Sequence, residues 1–359
     1  MFRQEIRKLY GSCYDAFTAI ENLYNYILQQ QDNLLRLISY RVELTKYSQE
    51  HLSKDSKELF VRLVRLKNQF LHVCRVIEVK VLHLLDGFTY ALNTNNTLVA
   101  ALCTRSLVEH AGTLSYLTRK SFEFLEELKF VNDYKQAIKK LEKLEDTYRS
   151  LFYGTRFFRV KGLVDVIPSP KLVKDYLGRE LKGAYDVYRY LSEFVHPNFG
   201  SNILVSVGQL GEGIIVPSSE EIRKITERII KIGGTTADYM LGKIAEFSLI
   251  GFIYLDYIFK CVKLRLPLKD VFREPELDFI GDGRSKESAI LFKGAKTYID
   301  HIRLQYRLLE KLERRSVMQK TIFDEEFLYD IHETDKGEIW FKVPRRLYDE
   351  FRTFWLDKN

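Results

Sequence analysis

The sequence predicts a mostly α protein, a multi-helix bundle with two short β-hairpins, and three observations carry that expectation. The first of only seven prolines is Pro168, and a long proline-free start favours long helices because proline breaks the i to i−4 hydrogen-bond ladder. Apolar residues make up 46% of the 359, with 22 Tyr and 24 Phe. That is enough to build a sizeable core rather than a disordered chain. Apolar positions also recur every three or four residues over long stretches, the period of an amphipathic helix.

Three regions are expected: an N-terminal helical hairpin over 1–90, a helical core over 91–266 and a C-terminal part over 267–359. In the first, Phe60, Leu63, Leu66, Phe70, Val73, Ile77 and Leu84 form one apolar face, with Arg62, Arg65, Lys67 and Arg75 mostly opposite. A partner helix is expected from about Tyr14 to Tyr47, joined through the polar SQEHLSKDSKE as an antiparallel pair. Such a pair reads as scaffold or as a coiled coil for a protein partner.

NTNNT at 93–97 is an N-cap signal for a helix over about 98–119. YKQAIKKLEKLEDTYRS continues as an exposed helix. Ser169 and Pro170 suit the cap and first position of a helix over 171–196 that stops at Pro197. NILVSVGQLGEGIIVP, with β-branched runs around glycines, predicts a hairpin at about 202–216. Ser218 and Glu221 have capping-box spacing and open helices through about Leu266. A Pro/Gly-containing linker, a helix over about 288–315, a hairpin turning at Asp335-Lys336-Gly337 and the short helix RRLYDEFRTFW complete the chain.

Composition narrows the function. Lys and Arg exceed Asp and Glu by 56 to 49, a net charge of +7, which is compatible with nucleic acid without requiring it. Cys13, Cys74, Cys103 and Cys261 are scattered in apolar helical contexts without C-x-x-C spacing, as expected of buried thiols in a reducing, cytoplasmic setting. The start MFRQEIRKLYGS has no apolar h-region, so no signal peptide is expected. FSLIGFIYLDYIF at 247–259 is interrupted by Asp256 and bracketed by Glu246 and Lys260, so it reads as a core helix and no membrane contact is expected. No phosphate loop, dinucleotide fingerprint, nucleophile elbow or HExxH is present, and no cofactor or metal is expected.

Two helices carry the candidate chemistry. In TLVAALCTRSLVEHAGTLSYL, Arg105 and Glu109 are four apart on an otherwise apolar helix, and a buried charge without a partner is costly. Gly112, one turn on, admits a close neighbour. In YRYLSEFVHP, Ser192 and His196 are also four apart, with Arg189 one turn earlier and Glu193 between. If the helices pack, Arg105, Glu109, Ser192 and His196 are expected in one cluster. There a carboxylate would orient the imidazole, and arginine would hold a phosphate or carboxylate.

The Arg-x-x-x-Glu helix followed by Leu-Ser-x-x-x-His-Pro resembles a family of helical bacterial proteins. It also resembles, more distantly, the HEPN helical superfamily. RSLVEH (Arg105, His110) and RYLSEFVH (Arg189, His196) match its arginine-to-histidine spacing, although Tyr190 stands where a polar residue usually follows the arginine. The resemblance implies a HEPN-like core and a metal-independent endoribonuclease of antiviral defence or toxin-like systems, working as a homodimer. Arg105, Glu109, Arg189, Ser192 and His196 would then be catalytic, with His196 moving the proton. The stretch Lys139, Lys140, Arg149, Arg156, Arg159 and Lys161, interleaved with aromatics, would guide RNA. Read from the residues alone, the cluster remains open between a catalytic site, a structural network in a non-enzymatic interaction module, and a small-anion or nucleotide site. The basic stretch is equally a solvated helix face.

Overall fold

A computed structural model describes residues 1–37, 52–154, 167–196, 199–208 and 215–355. The protein is mostly helical, with two small antiparallel sheets. It divides into two compact units. The first comprises Met1–Tyr40, Arg65–Phe124 and Lys139–Gly251; the second comprises Arg41–Val64, Leu125–Ile138 and Phe252–Asn359. Single helices contribute residues to both units, Lys54–Asn93 among them. No helix among the described residues is long and apolar enough to cross a membrane.

Long helices follow the apolar periodicity. After α1 (Gln4–Leu9) come α2 (Tyr14–Leu37), α3 (Lys54–Asn93), α4 (Thr97–Leu128) and α5 (Tyr134–Tyr153). The expected extension of α2 to Tyr47 lies outside the described residues. Asn96 starts α4 as expected, its side-chain oxygen accepting from the Val99 N–H at 3.1 Å. Ser218 and Glu221 form the anticipated capping box, with Glu221 N to Ser218 Oγ at 3.2 Å and Ser218 N to Glu221 Oε2 at 2.8 Å. It opens a helix over Ser219–Val262.

The single helix expected over 171–196 is interrupted. Ser169–Leu172 is α6, Val173–Leu177 widens into a π turn, and Gly178–Glu180 is α7. The chain then turns through Gly183 at φ 82° and restarts as α8 (Ala184–Val195). A positive φ at this point suits glycine because it lacks the Cβ that clashes there. The π turn sits where the backbone of Leu172 and Val173 crosses Gly112, so close that a Cβ on Gly112 would lie 3.1 Å away.

The hairpin expected at 202–216 is not a strand pair among the described residues. A short helix, α9 (Phe199–Asn202), leads into turns, and the Val207 N–H donates to the Ile215 carbonyl at 2.8 Å. Val205, Val207, Ile215 and Val216 are all exposed, so no neighbouring surface rewards a ladder, and an isolated hairpin is marginal in water. The helix Ser219–Val262 is α10; α11 (Leu268–Phe272) follows it.

In the second unit the linker supplies two short strands, β1 (Phe279–Ile280) and β2 (Leu291–Phe292), paired antiparallel. The helix expected over 288–315 is α12 (Tyr298–Lys311), started by Thr297, whose hydroxyl accepts from the Asp300 N–H at 3.0 Å. Strand β3 (Ser316–Phe323) follows, then the expected hairpin of β4 (Phe327–Thr334) and β5 (Gly337–Pro344), and the closing helix α13 (Arg345–Trp355). The order β3-β4-β5 is antiparallel throughout. Ile290, Phe292, Leu304, Leu308, Ile339 and Phe341 pack as the apolar core beneath the sheet.

A buried polar relay ties α12 to the sheet. Thr321 Oγ1 donates to Asp330 Oδ1 at 2.8 Å, and Gln305 Nε2 donates to Asp330 Oδ2 at 2.9 Å. Gln305 Oε1 lies 3.1 Å from His332 Nε2, which must carry the proton, leaving Nδ1 to accept from the Ser316 hydroxyl at 3.0 Å. Burial pushes the His332 imidazole down to about 4, and His301 likewise to about 4.

Both histidines therefore fold neutral, while their unfolded forms take up protons from about pH 6.5. The stability tied to neutral burial is present above that pH and is lost as pH falls through about 4. Urea unfolding between pH 7 and 4 is expected to lose on the order of 2 kcal/mol less in His332→Gln than in the parent. Equal losses would contradict the burial argument. A second contrast tests helix packing. A Cβ on Gly234 would lie 2.4 Å from the Ala16 Cα, whereas one on Gly233 meets side chains at ordinary contact distance, Phe88 at 3.4 Å and Ile20 at 3.7 Å. Gly234→Ala should destabilise by about 3 kcal/mol, and Gly233→Ala should be neutral or stabilise by up to about 1 kcal/mol.

Candidate functional site

The arginine helix meets its neighbour through a tyrosine. On α4 the Arg105 guanidinium lies 3.4 Å from Glu109 Oε1. It also donates through Nη2 to the Tyr188 hydroxyl at 3.0 Å and stands 5.2 Å from the centroid of that ring. Tyr188 is buried on α8 together with Ala184, Leu191 and Phe194. Burial raises the Glu109 carboxyl, and the Arg105 charge opposes that rise. Arg105 Nε is left buried without a hydrogen bond.

The four-group cluster expected from the sequence is not assembled. Ser192 turns its hydroxyl back onto the Tyr188 carbonyl at 2.8 Å, within its own helix. His196 is the residue at which α8 ends. Its backbone is extended (φ −88°, ψ 148°), its side chain is exposed, and its carbonyl accepts from the Ser201 hydroxyl at 2.9 Å. Arg189 and Glu193 are exposed as well. The reason is angular: at 100° per residue, 184, 188 and 191 share the inward face, and 189, 193 and 196 fall on the other side. His110, the histidine of the second motif, places Nδ1 2.8 Å from the Ser106 carbonyl, and burial lowers its pKa. Tyr188 was missed because a tyrosine amid apolar residues reads as core; its spacing of one turn before Ser192 was the available signal.

The described part of the basic stretch lies on α5. Lys139 and Arg149 are exposed on α5, with Arg149 3.7 Å from Asp146, and Lys140 is half-buried. Tyr148 instead points inward, its hydroxyl 2.7 Å from that of Ser121 and its ring against Phe70. Phe152 and Tyr153, by contrast, are exposed, three and four residues after Arg149 on the same helix. Arg156, Arg159 and Lys161 lie outside the described residues.

The second unit holds a buried charged cluster that its apolar sequence context did not announce. Asp256, expected only to interrupt an apolar run, and Lys260, expected to bracket it, are four apart on α10 and both buried. Lys260 Nζ lies 2.8 Å from Asp256 Oδ2 and 2.6 Å from Asp300 Oδ1. Thr297 donates to Asp256 Oδ1 at 2.5 Å, and the Lys296 N–H donates to Asp300 Oδ2 at 3.1 Å. Burial pulls the Lys260 ammonium down, but the two carboxylates outweigh it and its pKa stands raised. Such an amine keeps its proton and is no nucleophile.

A cleft of about 320 Å³ opens beside this cluster, and most of its charges are paired. Arg273 pairs with Glu276 at 3.0 Å and Lys293 with Asp278 at 3.7 Å. Glu274 takes Lys129 at 2.7 Å and Arg303 at 3.2 Å. No set of His, Cys, Asp and Glu suited to a metal occurs among the described residues. All four cysteines are free, and burial raises each thiol, Cys261 to about 11. They are not activated thiolates.

Removing the ammonium while leaving both carboxylates is the severe change. Lys260→Met should cost about 3–5 kcal/mol in chemical denaturation, and adding Asp256→Asn and Asp300→Asn should restore a large part of it. A triple variant as unstable as the single one would show that shape rather than charge governs the cluster.

No family model, curated protein or solved structure matches this chain, so the site is read from its own geometry.

Proposed function

We propose that the chain is a non-enzymatic helical binding module in which Arg105, Glu109 and Tyr188 clamp two helices together rather than process a phosphodiester. The observation that carries this reading is the Tyr188 hydroxyl at 3.0 Å from Arg105 Nη2. It takes up a guanidinium donor that the nuclease reading would turn toward a phosphate. Acid–base catalysis also requires an imidazole within hydrogen-bond reach of the reacting proton and oriented by a third group. Among the described residues, His196 has no carboxylate holding its ring, and it sits at the exposed end of α8. A guanidinium shared between a carboxylate and a phenol on two packed helices fixes register instead.

Structured RNA incubated with the purified protein in EDTA is expected to remain intact, with the parent and with His196→Ala alike. His196→Ala should leave the melting temperature nearly unchanged, whereas Tyr188→Phe should cost about 1–2 kcal/mol. RNA cleavage that disappears in His196→Ala would end this reading in favour of a metal-independent nuclease.

A further inference from the structure

We propose that the first unit carries a binding site for a small amphipathic anion, a compact hydrocarbon body bearing one carboxylate, in the cavity beside the interrupted helix. The inference deepens the binding-module reading by giving the module a ligand class. The cavity has a volume of about 210 Å³. Its walls are apolar: Val108 from α4, Leu177 and Leu181 from the interrupted segment, Ala184 and Val187 from α8, and Ile232 from α10. The chain break through Gly183 makes the opening possible. By ending one helix after Glu180 and restarting at Ala184, it swings Leu181 and Lys182 to the rim instead of closing the wall with another turn.

The rim carries one sign of charge. Lys182, Arg228 and Lys231 all line the cavity and are exposed, and no carboxylate lines it. Among the described residues, none of the three forms an ion pair with an acidic side chain. This sets the site apart from the paired charges of the second unit. Asp15 and Asp238 line a second cleft that shares Lys231 and Thr235. The Arg228 guanidinium lies 3.8 Å from the Tyr190 ring centroid. Arg228 also hydrogen-bonds the Tyr190 hydroxyl, and its guanidinium has further N–H donors for a carboxylate. Three unpaired cations at one mouth repel one another, and a bound anion relieves that repulsion while the walls take the apolar body.

Size narrows the ligand. An apolar cavity of about 150 Å³ takes benzene, and pockets for drug-sized molecules run from about 300 to 1,000 Å³. The volume here lies between the two and matches a medium-chain or aryl carboxylate.

The test is calorimetric titration of the full chain with octanoate, with octanol as the body without the charge and acetate as the charge without the body. Octanoate should saturate one site per chain, and each control should bind at least about tenfold more weakly. Lys182→Gln with Lys231→Gln, both on exposed side chains, should weaken octanoate about tenfold without moving the melting temperature. Val187→Phe, which fills the cavity, should remove the binding. No octanoate heat from folded protein, or octanol binding as tightly as octanoate, would overturn the inference. So would octanoate affinity unchanged in these variants, or binding only to phosphatidylglycerol vesicles and not to dissolved octanoate. RNA cleavage dependent on His196 would sink the module reading and leave this titration untouched, so the two failures are distinguishable.

Discussion

A charge taken out of water must find its opposite within a few ångströms or its helix will not pack. This chain meets that demand first on single helices, at i,i+4 spacing, and then with one further group from a neighbour. Arg105 and Glu109 share α4 and are completed by Tyr188; Asp256 and Lys260 share α10 and are completed by Asp300. In each case the third member selects which surface packs against the helix and in what register. The apolar residues around these clusters supply the driving force, but apolar surfaces slide easily, and the polar completion removes that freedom.

The same demand separates architecture from binding surface. Where cations and carboxylates occur together, as around Glu274, they pair and leave little electrostatic pull on a ligand. Where Lys182, Arg228 and Lys231 gather without carboxylates over an apolar hollow, the field is not spent internally. The hollow exists because the segment after α6 is not a continuous helix. The π turn over Val173–Leu177 and the left-handed Gly183 shift the chain sideways between two helical stretches. Irregular backbone thus shapes the cavity, and regular helix supplies its walls.

The clamp and the relay also differ in how they meet protons. At the α4–α8 contact burial raises the Glu109 carboxyl and the Arg105 charge opposes that rise. The second unit instead buries two neutral imidazoles held far below their ordinary pKa, one of them locked by Gln305 and Ser316. Acid acts there on the sheet and its supporting helix.

What the sequence by itself determined was local: the mostly helical class, the caps at Asn96 and Ser218, the β4–β5 hairpin at Gly337, the small residue at Gly112, and the pairing of Arg105 with Glu109. All depend on interactions within about four residues or on periodicity. The tertiary structure alone decided the rest. It interrupted the helix expected over 171–196 and recruited Ser316–Phe323 as a third strand. It also turned Tyr188 rather than Ser192 and His196 toward Arg105. The physical reason is that a helix carries several polar faces at once, and its sequence does not say which one a distant neighbour will cover.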